Sequence, residues 1–287
     1  MKSKKDLLIG FIGQGFIGKN YADDFEERGY KIVRYDDRNY LANKELIKKC
    51  DIVLIAVPTP SIKEKFQDGI IKEVLKLVGD NKIAVIKSTI QIGTTDKMQV
   101  LYPKKYIIHS PEFLTEKTAA YDARHPNRNI IGYTNRSKKV AGDALSVMAN
   151  SAVNIVIPCK EAELIKYANN ILLYIKVITA NSIADLCLSN GLDYKVVQES
   201  LKGDPRIGTT HLDVLHDSGR GAGGHCFIKD FSAYKEMHKK SKTGKELLEF
   251  LSAVEKYNQK LLIKSKKNLD ILSEVYNLGG KSKRNRS

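Results

Sequence analysis

Short apolar runs alternate with segments whose apolar residues recur at helical spacing through the first half of this chain, and that alternation constrains the fold more than any other feature. The runs Leu7–Ile12, Lys31–Tyr35, Ile52–Val57, Ile83–Lys87 and Tyr106–His109 have the length and character of strands. Segments between them, such as Ile62–Val78, carry the helical period. Strand–helix alternation of this kind predicts parallel βαβ units wound on both faces of one sheet, an α/β architecture of the Rossmann-like type. After Pro126-Asn127-Arg128 the chain returns to a short strand, and near Val153–Ile157 the pattern changes. A long helix is expected from Glu161 towards Asn190, with Gly191 as its stop, and an amphipathic helical run from Lys245 to about Tyr276. The expected organisation is a Rossmann-like domain over 1–158, a smaller all-helical domain over 159–276 and a basic disordered tail over 277–287.

Gly13-Gln14-Gly15-Phe16-Ile17-Gly18 follows the first strand and opens a helix. A dinucleotide turn needs this pattern. Gly13 permits the tight turn, Gly15 lets a pyrophosphate approach the backbone, and Gly18 lets helix and strand pack closely; the helix N-terminus, at Phe16 and Ile17, faces the phosphates. Asp36 ends the second strand, where a carboxylate takes both ribose hydroxyls, so NAD is the expected cofactor; Arg34 and Arg38 nearby keep NADP as the minor reading. Strand three ends in Val57-Pro58-Thr59-Pro60 and strand four in Lys87-Ser88-Thr89-Ile90. Ligands of open α/β sheets sit at such carboxyl ends, so both are expected to line the nicotinamide side. Thr89 alone serves equally well as a cap for the next helix.

Four glycines, at 219, 221, 223 and 224, precede Cys226, Lys229 and Asp230. If a helix begins there, a cation and a carboxylate gather round the thiol; the cation lowers its pKa and the carboxylate handles protons or water. A buried cysteine behind a flexible turn is the plain alternative. Glu112 and Glu116, in Ser110-Pro111-Glu112-Phe113-Leu114-Thr115-Glu116, share one face if that segment is helical. Lys166 and Asn170 stand one helical turn apart beside apolar rows, where they either hold an alkoxide or form a wet helix edge.

With 287 residues, 42% hydrophobic and 28% charged, the chain has the composition of a soluble globular protein. No apolar run is expected to cross a bilayer, and Leu7–Ile12 is too short for a signal-peptide core. Cys50, Cys159, Cys187 and Cys226 lack metal-ligand spacing, which implies reduced thiols, no metal and a cytoplasmic location. The net charge of +15 is concentrated late, with 15 Lys and Arg against 7 Asp and Glu from Lys229 onward. Without zinc-finger spacing, an aromatic RNA-binding signature or a helix-turn-helix pattern, that charge reads as a solvated basic surface rather than a nucleic-acid site. The stripe Leu247, Leu248, Leu251, Val254 and Leu261 suggests a homodimer, unless it packs only within its own domain.

Taken in order, GQGFIG at 13–18, VPTP at 57–60, STI at 88–90, SPEFLTE at 110–116, AELIKYANN at 162–170, DPRIG at 204–208 and GAGGHCFIKD at 221–230 resemble the UDP-glucose/GDP-mannose 6-dehydrogenase family. His211, Val214 and Asp217-Ser218-Gly219 resemble its UDP-glucose branch. The resemblance covers roughly 1–275 and implies a four-electron oxidation of a nucleotide sugar at C6 with two NAD and no metal. It implies Cys226 as nucleophile towards the aldehyde, Lys166 and Asn170 as holders of the oxyanion, and Asp230 with Thr89 and Glu116 as the groups that position water and move protons, supported by Glu112. It further implies sugar contacts from Glu112, Phe113, Leu114, Lys166, Asn170 and Gly223, and from Arg206 towards a neighbouring subunit. Cofactor contacts fall to Gly13, Gly15, Phe16, Ile17, Gly18, Asp36, Pro58, Thr59, Thr89 and Lys229, the last facing phosphate or the thiolate. Ala222 stands where the family has an aromatic residue, Ile228 where it has proline and Ser182 where it has glutamate, and the segment after Asp36 is short. Family members also continue into a third α/β domain that grips the nucleotide, so part of the substrate cleft and one cofactor-phosphate contact are expected to be missing unless a separate chain or another subunit supplies them.

Three other readings compete. A two-electron β-hydroxyacid dehydrogenase shares the two-domain layout and the helix-borne lysine and asparagine, but needs no thiol. An NAD-binding partner subunit without independent turnover, and a polyanion binder acting through 281–286, are the non-enzymatic ones.

Overall fold

Seven strands form one sheet in the order β2-β1-β3-β6-β7-β8-β9. They are β1 (Leu8–Ile12), β2 (Lys31–Tyr35), β3 (Ile52–Ile55), β6 (Ile83–Ile86), β7 (Tyr106–His109), β8 (Arg128–Tyr133) and β9 (Val153–Pro158), with β4 (Ser61–Ile62) and β5 (Lys65–Phe66) forming a separate two-stranded ladder. This computed structural model describes residues 6–62, 65–216 and 219–276. The basic tail and the Asp217-Ser218 pair lie outside the described residues.

The side chains of the central strands divide between two cores, as the two-residue period of a strand requires. Ile9, Phe11, Ile52, Leu54, Ile83 and Val85 enter one cluster with Ala22 and Phe25 of α1 (Phe16–Glu27) and Ala141 and Ala144 of α5 (Ala141–Ser146). Ile12, Val53, Ile55, Ala84 and Ile86 enter another, closed by Ile71 and Leu75 of α2 (Gly69–Leu75) and Met98 of α3 (Thr94–Leu101). A sheet buried on both faces is the doubly wound arrangement that the alternation predicts. Pairing is parallel from β2 through β7 and between β8 and β9, but β8 runs antiparallel to β7. The connection between them, residues 110–127, holds α4 (Ala119–Arg124), and the strand returns beside β7 in the opposite direction.

Two further expectations are corrected. The helix anticipated over Ile62–Val78 is only α2, because the β4–β5 ladder and the irregular Gln67-Asp68 pair occupy the beginning of that segment. The run from Lys245 to Tyr276 is two helices, α9 (Lys245–Lys264) and α10 (Leu269–Tyr276), separated where Lys266 and Asn268 take left-handed backbone at φ 53° and 52°. Asparagine tolerates that conformation better than most residues. Between them Lys267 turns inward and is buried.

The chain divides into two compact units, with the boundary between Lys166 and Tyr167, inside α6 (Cys159–Ser189). The first holds the large sheet. The second comprises Ser61–Lys65 and the chain from Tyr167, including α7 (Tyr194–Lys202), α8 (Gly224–Ser241), α9 and α10. Its core is formed by Ile171, Tyr174, Val177, Ile178, Phe231, Leu251 and Leu261, with Leu247 and Val254 packed against them. Leu247, Leu251, Val254 and Leu261 of the stripe that suggested a dimer are thus used within their own unit. Among the described residues α6 is one helix long and apolar enough to cross a membrane, which corrects the expectation that no run reaches that length.

Candidate active site

At the carboxyl end of β1, Gly13 has φ +89°, and a Cβ there would stand 2.3 Å from the Ala56 carbonyl oxygen. A Cβ on Gly18 would lie 1.9 Å from the Gly13 carbonyl oxygen, so helix α1 can start only where both residues are glycine. Gly15 is different: its Cβ would meet nothing within 4 Å. Among the described residues no side-chain cap is present at Gly15, the N-cap of α1, which leaves the amides at Phe16 and Ile17 for an anion. The Asp36 carboxylate accepts from the amides of Gln14 (3.1 Å) and Arg38 (2.9 Å) and is thereby oriented at the end of β2. This set fits a dinucleotide. Arg34 is bound to Asp23 at 2.8 Å and Glu26 at 2.7 Å, which occupies the cation that a ribose 2′-phosphate would need.

The ends of β3 and β6 are stapled together. The Ser88 hydroxyl accepts from the Val57 amide at 2.9 Å and donates to the Val57 carbonyl at 2.8 Å. Thr59 donates its hydroxyl to the Thr89 carbonyl at 2.7 Å, beside Pro58. The next helix is capped by Glu163 of α6, not by Thr89. The Glu163 carboxylate accepts from the amides of Gly93 (2.5 Å) and Thr95 (2.7 Å) and from the Thr95 hydroxyl (2.6 Å). Burial pushes this carboxyl up against the pull of those three bonds. Sequence reasoning missed Glu163; its only signal was its place three residues before Lys166.

Residues 111–115 are irregular rather than helical, so the shared-face argument for Glu112 and Glu116 fails. Glu112 is buried while Glu116 is exposed. The Glu112 carboxylate accepts from the Leu114 amide at 2.8 Å. Lys166 donates to the Glu112 carbonyl at 2.8 Å, lies 3.5 Å from its carboxylate, and stands 5.5 Å from the Phe113 ring centre. Two more buried groups from the strand ends complete this cluster. Lys87 donates to the Ser110 hydroxyl at 3.2 Å and faces the Tyr21 ring; burial, with Lys166 adding to it and Glu112 opposing, lowers its pKa to about 8. His109 is fully buried, and burial assisted by Lys87 lowers its pKa to about 3, which keeps the ring neutral. Lys87 belongs to the strand end expected to line the nicotinamide side, whereas His109 carried no such signal because a histidine at a strand end looks like surface.

In the second unit Gly223 precedes α8, and Cys226 lies in its first turn. Cys226 is exposed, whereas Cys50, Cys159 and Cys187 are buried. Asn170 donates to the Asp230 carboxylate at 2.5 Å, and both side chains are buried. Lys229 pairs with Glu274 of α10 at 3.1 Å. Arg206 pairs with Asp204 at 2.6 Å on the surface. Buried Cys159 donates to Asp96 at 3.3 Å, and burial together with Glu163 and Asp96 pushes its thiol far up, as befits a packing residue and not a nucleophile.

Residues 37–148 match the sequence profile of the UDP-glucose/GDP-mannose dehydrogenase family NAD binding domain, and residues 160–260 that family's central domain. UDP-glucose 6-dehydrogenase TuaD of Bacillus subtilis is 33% identical over 80% of this chain and 59% of its own length. Four curated relatives are covered over 30% to 64% of their length, so the chain spans about half of the relatives it matches. Among solved structures, a UDP-glucose dehydrogenase from Pyrobaculum islandicum superposes with TM-score 0.77 at 23% identity, over 90% of this chain and 69% of that one. The 3-hydroxyisobutyrate dehydrogenase of Mycobacterium tuberculosis superposes with TM-score 0.72 at 15% identity, over 96% and 99%. At these identities the superpositions establish the shared fold.

Proposed function

Because the chain belongs to the UDP-glucose/GDP-mannose dehydrogenase family, we propose that it is an NAD-dependent nucleotide-sugar 6-dehydrogenase that oxidises UDP-glucose, or a close relative, to the uronic acid through Cys226. The observation that carries the reading is the thiol: Cys226 is exposed in the first turn of α8, while Cys50, Cys159 and Cys187 are buried. A four-electron oxidation needs such a group and a two-electron one does not.

NAD, when bound, accepts hydride from C6 in each oxidation. In the first, the C6 hydroxyl loses its proton as C6 becomes an aldehyde, with Lys166 and Asn170 holding the developing alkoxide. The Cys226 thiolate then adds to the aldehyde carbon, and the C–S bond gives a thiohemiacetal. Its oxyanion, held by Lys166 and Asn170, re-forms the carbonyl as the second hydride departs, leaving a thioester. Asp230, with Thr89 and Glu116, positions a water molecule that breaks the C–S bond, releasing carboxylate and restoring the thiol; Glu112 holds Lys166 in place. Each sugar thus uses two NAD and one water. The Asn170–Asp230 bond and the Lys166–Glu112 contacts support these roles. The phosphates fall to Gly13, Gly15, Phe16, Ile17 and Gly18, with Lys229 as a further cation; the ribose falls to Asp36, and the nicotinamide side to Pro58, Thr59 and Thr89. Phe113, Leu114 and Gly223 border the sugar.

The enzyme works in the cytoplasm as a homodimer in which Arg206 reaches the neighbouring site; exposed Leu172, Leu186 and Leu188 of α6 are apolar surface available for such contact. Acid quench of the protein during turnover with UDP-glucose and NAD, followed by peptide mass analysis, tests the chemistry. A sugar adduct on the Cys226 peptide is expected, and an adduct-free thiol under steady turnover excludes the covalent route. A second reading is favoured by one observation, the superposition over 99% of a 3-hydroxyisobutyrate dehydrogenase. That reading predicts a single oxidation that survives Cys226→Ser.

A further inference from the structure

Three of the glycines before Cys226, at 219, 221 and 223, are needed by the protein's own packing. A Cβ on Gly219 would stand 2.6 Å from Ser265, one on Gly221 2.9 Å from Asn258, and one on Gly223 2.3 Å from Asn268. All three contacts lead to α9 or to the break that follows it. The same residues hold the backbone by hydrogen bonds. Asn258 grips Ala222 at both ends, accepting from its amide at 2.8 Å and donating to its carbonyl at 2.9 Å. The Ser265 hydroxyl accepts from the Arg220 amide at 2.9 Å. Buried Lys267 donates to the carbonyls of His216 (2.7 Å), Gly219 (3.3 Å) and Gly221 (3.3 Å). The Asn268 side-chain carbonyl accepts from the Gly224 amide at 2.9 Å, two residues before the thiol.

We propose that the break between α9 and α10, with Asn258, is the device that positions Cys226, and that Asn268 and Lys267 are its positioning residues. The break has a reason to exist in these terms. An uninterrupted helix would point Lys267 and Asn268 elsewhere and leave the amide of Gly224 and the carbonyls of Gly219 and Gly221 without these partners, a costly state for buried backbone. Left-handed backbone at Lys266 and Asn268 accompanies the placement of the Lys267 and Asn268 side chains on the glycine segment. The first turn of α8 is then fixed from outside its own helix, as a site built on a supported shell requires.

The inference rests on Cys226 being the nucleophile, and its test needs no turnover. Alkylation of Cys226 by iodoacetamide at fixed pH is followed by peptide mass analysis in the full chain, with buried Cys50, Cys159 and Cys187 as slow references. Asn268→Gly keeps the left-handed backbone and removes the acceptor; Asn268→Asp restores an acceptor. The glycine variant should change the Cys226 rate by about fivefold or more, the factor that one hydrogen bond corresponds to. It should also speed amide exchange at Gly224, and the aspartate variant should return both towards wild type. Lys267→Met should change the rate in the same direction if it folds. A rate in Asn268→Gly equal to wild type, or a changed rate that Asn268→Asp leaves unrestored, overturns the proposal. Loss of activity in Cys226→Ser is a separate result, so failure of the clamp and failure of the nucleophile are told apart.

Discussion

Replacing Glu163 should damage the first unit far more than its place beside a helix edge suggests. Its carboxylate is fully buried and receives three hydrogen bonds, two from backbone amides at the start of α3 and one from the Thr95 hydroxyl. In Glu163→Ala the amides of Gly93 and Thr95 lose their acceptor, and each buried unpaired group costs about 1–3 kcal/mol. Removing a buried negative charge offsets part of this, so a net loss of about 3–4 kcal/mol is expected. Glu163→Gln is not a gentle control. Both carboxylate oxygens accept, so the amide nitrogen of glutamine must face an N–H in either orientation, at a cost of about 2 kcal/mol. At about 2–4 °C per kcal/mol, alanine should lower the melting temperature by roughly 10 °C and glutamine by roughly 5 °C. Amide exchange by NMR should place the fastest new exchange at Gly93 and Thr95. The reasoning is refuted if alanine costs less than about 1 kcal/mol, or if exchange at those two amides is unchanged.

Lys87 has a pKa near 8 when folded and 10.5 as its ordinary value. Between these pH values the unfolded chain carries the extra proton, so stability should rise with pH through that window; urea titrations across it should show the rise in wild type and its loss in Lys87→Met. Freeing Arg34 by Asp23→Asn with Glu26→Gln should tighten NADP binding by about fivefold to tenfold and leave NAD within about twofold, read by calorimetry. Unchanged NADP affinity would show that the two acids do not govern the choice of cofactor.

The doubly wound sheet was legible because buried strands are apolar and their crossover helices are not, so Ile52–Ile55 and Ile83–Ile86 stand out against their surroundings. Direction is not written in an apolar run, and β8 reads the same whether parallel or antiparallel to β7. The glycine turn was legible to the residue, since Gly13 and Gly18 meet backbone at distances that admit no side chain. Buried polar residues were the blind spot. Glu163, Lys87, His109 and Lys267 have the residue types of a surface, and only the partners gathered by the fold explain their burial. The break at Ser265–Asn268 was hidden for the same reason, because two lysines continue an amphipathic pattern; Asn268 was the one residue that hinted at a left-handed stop.

The central claim is tested most directly by counting NADH at 340 nm per UDP-sugar consumed, for wild type and Cys226→Ser side by side. The account predicts about two NADH per uronic acid in wild type, the stoichiometry of a thioester route, and no uronic acid from the serine variant. One NADH per product, at a rate that Cys226→Ser leaves intact, would contradict it.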